Sequence, residues 1–136
     1  MVQCEITYQG GLRTHGVHGP SGAHILTDAP VDNRGKGEAF SPTDLVGVAL
    51  GSCMLTLMGI AAEDNGWDLD GAGVVVIKKM KASPMRHIGR LEVQLSVPGQ
   101  WSTEQRNVLE ASARGCPVMA SLGERVQVDL QFTWGA

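Results

Sequence analysis

Residues 41–62 read SPTDLVGVALGSCMLTLMGIAA, and this run decides the fold of the chain. It opens with a helix start signal, because Ser41 stands at the N-cap, Pro42 at the first helical position, and Asp44 where it can close a capping box. From Leu45 to Ala62 no residue is charged. The run therefore predicts a long helix that is apolar on every side and must be covered on every side.

The predicted helix reaches the length of a membrane span. Glycine and hydroxyl residues interrupt it, acidic residues lie at both ends, and no basic residue flanks it, so we expect no membrane insertion. One small domain has difficulty covering such a helix alone, and we infer a partner subunit. Gly47 and Gly51 would let a second helix approach closely; the alternative is close packing on the helix's own sheet.

Short strands are predicted before the helix. Apolar and polar residues alternate over residues 2–8, which is the pattern of a half-buried strand and places Cys4 on its inward face. Further strands are predicted at residues 12–17 and 23–27, separated by a turn at Gly19–Gly22. Residues 28–40 form a polar, glycine-rich loop, and loops of this length are often functional.

Strands and capped helices are predicted after the long helix. Alternation predicts strands at residues 73–80, 91–97 and 126–134. Ser102 with Gln105 forms a second capping box for a helix that runs to Arg114, and Cys116-Pro117 starts a short helix ending near Gly123. The order of elements predicts an α+β fold, with residues 1–136 as a single domain.

Composition excludes several classes of protein. The chain has 136 residues, a net charge of −3 and only 4% aromatic residues, which argues against a nucleic-acid partner that needs a basic face and stacking rings. Three cysteines are too few for a disulfide scaffold, so a reducing compartment is expected. Residues 1–5 show no basic or apolar part of a secretory signal, and we therefore expect a cytoplasmic location.

Two cysteines could carry chemistry. Cys53 lies within the apolar helix, where burial as a structural residue is the competing interpretation. Cys116 precedes Pro117 at a helix start, where unpaired amides favour an anion, and Arg114 lies two residues away. Local physics alone therefore favours Cys116 as the thiol of lower pKa.

Other catalytic or metal-binding patterns are weak. His15 and His18 are three residues apart on a predicted strand, so they point to opposite faces and cannot share an ion locally. His24 and His87 are isolated in the sequence. We therefore expect neither a metal site nor a bound cofactor.

Two segments resemble the OsmC/Ohr family of thiol peroxidases. The first is FSPTDLVGVALGSCM at residues 40–54, and the second is GCPVMASL at residues 115–122. The resemblance implies an OsmC-like fold, with antiparallel sheets wrapped around a long central helix in an intertwined homodimer. That arrangement would cover the charge-free helix.

The resemblance also implies an activity. It assigns Cys53 as the cysteine that attacks a small organic hydroperoxide and Cys116 as the cysteine that resolves the sulfenic acid as a disulfide. An external dithiol, such as a lipoylated protein or a small dithiol, would then regenerate the pair. Neither a nucleic acid nor a membrane is an expected partner.

Arg13 matches the region of the family's catalytic arginine, whose charge would stabilise a thiolate. The family's glutamate, which directly follows the proline, is replaced by Thr43. Asp44 and Glu38 are possible accessory residues, although capping already explains Asp44. Because threonine cannot form a charge-assisted pair, the alternative function is a non-catalytic protein of the same fold that binds a small ligand or senses peroxide.

Overall fold

The computed structural model describes residues 1–135. The chain divides into two compact units, residues 1–46 and residues 47 onward. The long helix α1 (Pro42–Asn65) begins in the first unit and continues in the second. The assignment of residues 1–136 to a single domain stays a prediction.

The first unit contains a three-stranded antiparallel sheet. Its strands are β1 (Cys4–Gly10), β2 (Arg13–His18) and β3 (His24–Asp28), in that spatial order. A turn closed by a 2.8 Å hydrogen bond from the His18 amide to the Ala23 carbonyl joins β2 to β3. This hairpin sets the register and places Arg13 directly opposite Asp28.

Strand β1 differs from the half-buried strand that alternation predicts. Its residues are exposed except Gly10, and the side chains of Ile6 and Tyr8 are 65% and 64% exposed. The prediction that Cys4 lies in the core is wrong, because Cys4 is exposed. Alternation sorts side chains onto two faces, but only a further layer of structure buries one of them.

The second unit packs α1 on a three-stranded sheet of β4 (Gly73–Lys81), β5 (His87–Val97) and β6 (Gln127–Trp134). Gly47 lies against Val76, and Gly51 lies against Val74 and Val76, at distances that leave little room for a side chain. These two glycines therefore serve close packing on the helix's own sheet. The buried residues of the helix and of the central strand β5 include Leu50, Met54, Met58, Ala62, Leu91, Val93, Leu95 and Val97.

Helices α2 (Thr103–Arg114) and α3 (Pro117–Ser121) connect β5 to β6. The predicted Ser102–Gln105 capping box is present at the start of α2. Strand β6 pairs with β5 in parallel, which differs from the predicted antiparallel sheets. The reason is the connection, since a crossover through helices returns the chain in the same direction.

Helix α1 is long and apolar enough to cross a membrane by length and composition, a property that the core helix of a soluble protein shares. Only 33% of its most apolar window is buried within the chain. Val48 and Ile60 are 47% and 50% exposed. A large part of the apolar surface predicted for this helix is thus left uncovered by residues 1–135.

Candidate functional site

Cys53 and Cys116 lie together in the second unit. Cys53 lies on α1 and is partly exposed, whereas Cys116 directly precedes α3 and is 1% exposed. Both are free thiols, and they lie close enough for the Cys53 thiol to raise the pKa of Cys116. The fold thus brings the cysteine of the long helix close to the cysteine of the Cys-Pro turn.

Cys116 takes the N-cap position of α3. Its backbone is extended, Pro117 occupies the first turn, and the Met119 amide donates a 3.4 Å hydrogen bond to the Cys116 Sγ. The sulfur thereby stands where the oxygen of a serine or threonine cap would accept the same bond. This local arrangement agrees with the helix start that the Cys-Pro sequence predicts.

Burial raises the pKa of the Cys116 thiol above its ordinary value, and the hydrogen bond and charge of Cys53 raise it further. The amides of Met119 and Val118 act in the opposite direction. The prediction that a helix start gives Cys116 a low pKa is therefore wrong, because desolvation of the thiolate outweighs the amides. Arg114 lies over the Phe132 ring, with its Cζ 5.9 Å from the ring centroid.

Arg13 has two carboxylate partners in the first unit. Its Nη2 lies 2.5 Å from the Glu38 Oε2 and 3.5 Å from the Asp28 Oδ2. Glu38 is 59% exposed, whereas the Asp28 side chain is fully buried. Glu38 was among the accessory candidates, and Asp28 was not.

The loop after β3 folds back to bring Glu38 to Arg13. Backbone bonds link Gly35 to Pro30 and Gly37 to Ala29, and the Asp28 amide donates to the Phe40 carbonyl. A Cβ at Gly35 would lie 1.8 Å from the Ala29 carbonyl oxygen, so only glycine fits this approach. The glycine-rich composition of the loop thus supports the position of Glu38.

Asp28 is the more strongly held of the two carboxylates. The Glu38 amide donates a 2.8 Å hydrogen bond to its Oδ2 and, together with Arg13, lowers the pKa of Asp28 although burial opposes the shift. The pKa of Arg13 is raised, first by its hydrogen bond and charge interaction with Asp28 and less by Glu38. Asp28, whose side chain is buried, thus contributes more to the pKa of Arg13 than the exposed Glu38 does.

One oxygen of Asp28 is unusual. Among residues 1–135, its Oδ1 is buried without a hydrogen-bond partner. A buried carboxylate oxygen is costly to leave without a partner, and native proteins contain few such groups. Its position beside a paired guanidinium marks this corner of the first unit as a functional candidate.

Thr43 and Asp44 lie at the start of α1. The Ser41 amide donates to the Asp44 Oδ2 at 2.9 Å, and the Asp44 amide donates to the Ser41 Oγ at 3.1 Å, which completes the predicted capping box. Thr43 Oγ1 lies 3.2 Å from the Ser41 Oγ. The structure therefore places these two candidates in the helix start, whereas Glu38 and Asp28 contact Arg13.

The surroundings of one histidine, His24, differ from the prediction. His24 is not isolated, because its Nδ1 lies 2.6 Å from the Nε2 of His15 on the neighbouring strand. Within residues 1–135, no three histidine, cysteine or acidic side chains gather in a way that could hold a metal ion.

The sequence of this chain matches a known protein family. The model of the OsmC-like protein family matches residues 35–131. No curated protein matches the sequence.

Solved structures of similar fold cover nearly the whole chain. An osmotic stress induced and detoxification response protein from Psychrobacter arcticus shares 39% identity and a TM-score of 0.91, covering 97% of this chain and 96% of that one. The organic hydroperoxide resistance protein OsmC of Legionella pneumophila shares 14% identity and a TM-score of 0.78, covering 98% and 96%.

A further likeness is to an organic hydroperoxide resistance protein of Vibrio cholerae, whose structure holds captopril in one of its active sites. It shares 18% identity and a TM-score of 0.70, and the match covers 97% of this chain and 90% of that one. Together these likenesses confirm the predicted α+β fold.

Proposed function

We propose that this chain, which belongs to the OsmC-like protein family, reduces organic hydroperoxides through a cycle of Cys53 and Cys116. The observation that carries the proposal is the proximity of the two thiols, one partly exposed and one buried. Solved structures of the same fold from two organisms are named organic hydroperoxide resistance proteins, which supports this substrate class.

The chemistry balances with a dithiol as reductant. The Cys53 thiolate attacks a peroxide oxygen, the O–O bond breaks, and the alkoxide leaves and takes a proton to become an alcohol. The Cys116 sulfur then attacks the Cys53 sulfenic acid, forming the S–S bond and releasing water. Exchange with an external dithiol returns both thiols and oxidises the dithiol.

The different surroundings of the two thiols support these roles. Cys53 is the partly exposed thiol, which a substrate can reach, whereas Cys116 is shielded and its raised pKa keeps it protonated at neutral pH. Two of the influences that raise the pKa of Cys116 come from the Cys53 thiol. Oxidation of Cys53 removes them, and the Met119 amide then favours the Cys116 thiolate when it has to attack.

Arg13 is part of the proposal as the charged group that the resemblance assigns to catalysis. Its guanidinium is held by Asp28 and Glu38, so a charge-assisted pair exists although Thr43 replaces the family glutamate. Two carboxylates from the strand and the loop would do here what one residue after the proline does in the family.

A homodimer in the cytoplasm completes the proposal. Apolar side chains are exposed on the sheet of the first unit, with Ile6 65% and Ile25 53% exposed, and on α1 of the second unit. Exposed apolar surface of this extent is typical of an interface. A second copy of the chain is the partner that a symmetric oligomer would supply.

The test is stopped-flow oxidation by cumene hydroperoxide with a dithiol present. Cys53→Ser should abolish turnover, and the matched control Cys4→Ser, which removes the exposed third thiol, should leave it unchanged. If the Cys53→Ser protein consumes peroxide as fast as the unmodified protein, the proposed cycle must be abandoned.

A second candidate is a binding protein without turnover. The observation that favours it is an apolar cavity of about 250 Å³ in the first unit, lined by residues that include Tyr8, Leu12, Pro30 and Pro42. This candidate predicts no peroxide consumption with any dithiol, together with a small apolar ligand retained in native mass spectrometry. Rapid turnover would exclude it.

A further inference from the structure

Four of the chain's few aromatic side chains gather at one place in the second unit. Trp67 contacts Trp101 with ring centroids 6.0 Å apart, Trp101 contacts Trp134 at 6.3 Å, and Trp134 stacks on Phe132 at 6.0 Å. In a chain with 4% aromatic residues, this concentration needs an explanation beyond core filling, because all four rings stay partly exposed.

At one end of this aromatic cluster, two rings contact arginine side chains of the same chain. The Arg106 Cζ lies 5.6 Å from the Trp134 centroid, and Arg114 lies over Phe132. Both distances fall within the range of cation–π attraction. Two of the four rings are thereby matched with a guanidinium.

The other end of the cluster opens onto a cavity of about 270 Å³. The rings of Trp67 and Trp101 meet edge to face at 78°, and both residues line the cavity, where they form a corner of its wall. Within residues 1–135, neither ring has an arginine or lysine stacked on it. The remaining lining residues are Asp68, Pro98, Gly99, Gln100 and Gln105.

The chain segment that leads into this cavity is acidic, and one cation lies near the cavity, because the Arg106 Nε donates a 3.1 Å hydrogen bond to the Trp101 carbonyl. Residues 63–70 contain Glu63, Asp64, Asp68 and Asp70 and no lysine or arginine. Asp68 belongs to the cavity wall and also accepts a 2.8 Å hydrogen bond from the Asp70 amide, which holds its carboxylate in place. Electron-rich aromatic rings and a carboxylate attract the same kind of ligand, an organic cation.

The walls of the corner are held before any ligand arrives. The Trp101 indole donates a 2.8 Å hydrogen bond to the Pro98 carbonyl, and the Trp67 amide donates to the Ala62 carbonyl at the end of α1. A preformed site loses less conformational entropy on binding. The cavity lies just below the usual size range of small-molecule sites, which suits a ligand of head-group size.

We propose that the corner formed by Trp67, Trp101 and Asp68 binds the quaternary ammonium group of a small organic cation. A quaternary group carries no hydrogen-bond donor and is therefore matched by aromatic faces and one carboxylate rather than by many acceptors. Choline has this chemistry. The site is separate from the thiol chemistry and does not depend on it.

The test is a titration of the full chain with choline chloride, followed by the three tryptophan indole N–H signals in ¹H–¹⁵N spectra. The signals of Trp67 and Trp101 should shift together and saturate, with a smaller change at Trp134. The neutral isostere 3,3-dimethylbutan-1-ol should bind about tenfold more weakly, because it has the same shape without the charge. Equal binding of the isostere, or no saturable shift with choline, would overturn the proposal.

Asp68→Asn keeps an oxygen to accept from the Asp70 amide and should weaken choline binding about fivefold. Asp70→Asn removes the same charge from the same segment outside the cavity wall and should leave binding within about twofold. If both variants weaken binding equally, general charge attraction explains it and the site is refuted. Sedimentation with phosphatidylcholine vesicles separates the two sources of the group: binding to vesicles assigns a lipid head group, and binding to choline alone assigns a free cation.

Discussion

Arg13 and Asp28 face each other across β2 and β3, and 3.5 Å separates the arginine Nη2 from the buried Asp28 Oδ2. The same Nη2 contacts the exposed Glu38, which a folded-back loop brings to it. The shorter distance belongs to Glu38, but the stronger effect on the arginine belongs to Asp28. The shortest contact therefore does not identify the dominant partner of Arg13, which is the buried carboxylate.

Asp28→Asn should lower peroxide turnover about tenfold, because Arg13 loses the buried charge that holds it and keeps only an exposed partner. Glu38→Gln should lower it no more than about twofold, as is usual for an exposed pair. Steady-state turnover with cumene hydroperoxide measures both variants. A larger loss in Glu38→Gln than in Asp28→Asn would reverse the ranking.

Stability should fall in acid partly through Asp28. The pKa of Asp28 is lower in the folded state than in the unfolded state, where it is about 3.9. The contribution of Asp28 to the free energy of unfolding is therefore fully present above the unfolded pKa and is lost as the pH falls through the folded pKa. Urea unfolding from neutral pH down to below about pH 4 should therefore show a smaller acid loss for Asp28→Asn than for the unmodified chain. Asp70→Asn is the control, and an identical acid profile in Asp28→Asn and the unmodified chain would contradict the assignment.

Cys116→Ser should stop the cycle at the sulfenic acid. With one equivalent of hydroperoxide, the variant should give a dimedone adduct at Cys53, whereas the unmodified chain should lose two hydrogens as the disulfide forms. Intact-mass analysis measures both products, with Cys4→Ser as the control that behaves like the unmodified chain. An adduct that forms at Cys116 as fast in Cys53→Ser would show that the roles are exchanged.

Gly51→Ala should be less stable than Gly59→Ala by about 1–3 kcal/mol. A Cβ at Gly51 would lie 3.0 Å from a methyl group of Val76 and 3.1 Å from one of Val74, whereas a Cβ at Gly59 meets nothing within 4 Å. The gain in helix propensity is common to both substitutions and cancels in the comparison. Urea denaturation measures the difference in the free energy of unfolding. Equal stabilities would mean that the side chains of Val74 and Val76 move aside at little cost.

The proposed homodimer should depend on the exposed sheet of the first unit. Ile6 and Ile25 both lie over Gly16, whose missing side chain lets them form one apolar surface. Ile25→Glu should shift the mass measured by light scattering toward the monomer, because a charge buried at an interface without a partner is costly. Val31→Glu, at a side chain 74% exposed in the loop, is the control. A dimer of unchanged mass in Ile25→Glu would place the interface elsewhere.

Several parts of the candidate site could be predicted from local patterns. The capping signals identified the starts of α1 and α2, since their side chains bond amides within a few residues. The pairing of Arg13 with Asp28 was also within reach: strands folding back from a turn at residues 19–22 place residue 13 opposite residue 28. The sequence pattern assigns Asp28 to the first position of a loop, whereas in the structure it is the last residue of β3. For this reason Asp28 was not predicted as a partner of Arg13.

The sequence by itself determined the order of strands and helices, the charge-free helix and the family, because these depend on periodicity, capping and short motifs. Only the tertiary structure decided the burial of Cys116, the exposure of Cys4 and the direction of β6. Each of these depends on which segments distant in sequence cover or pair with a residue. The pKa of Cys116 shows the consequence, since a helix start favours the thiolate and burial within the fold reverses the result.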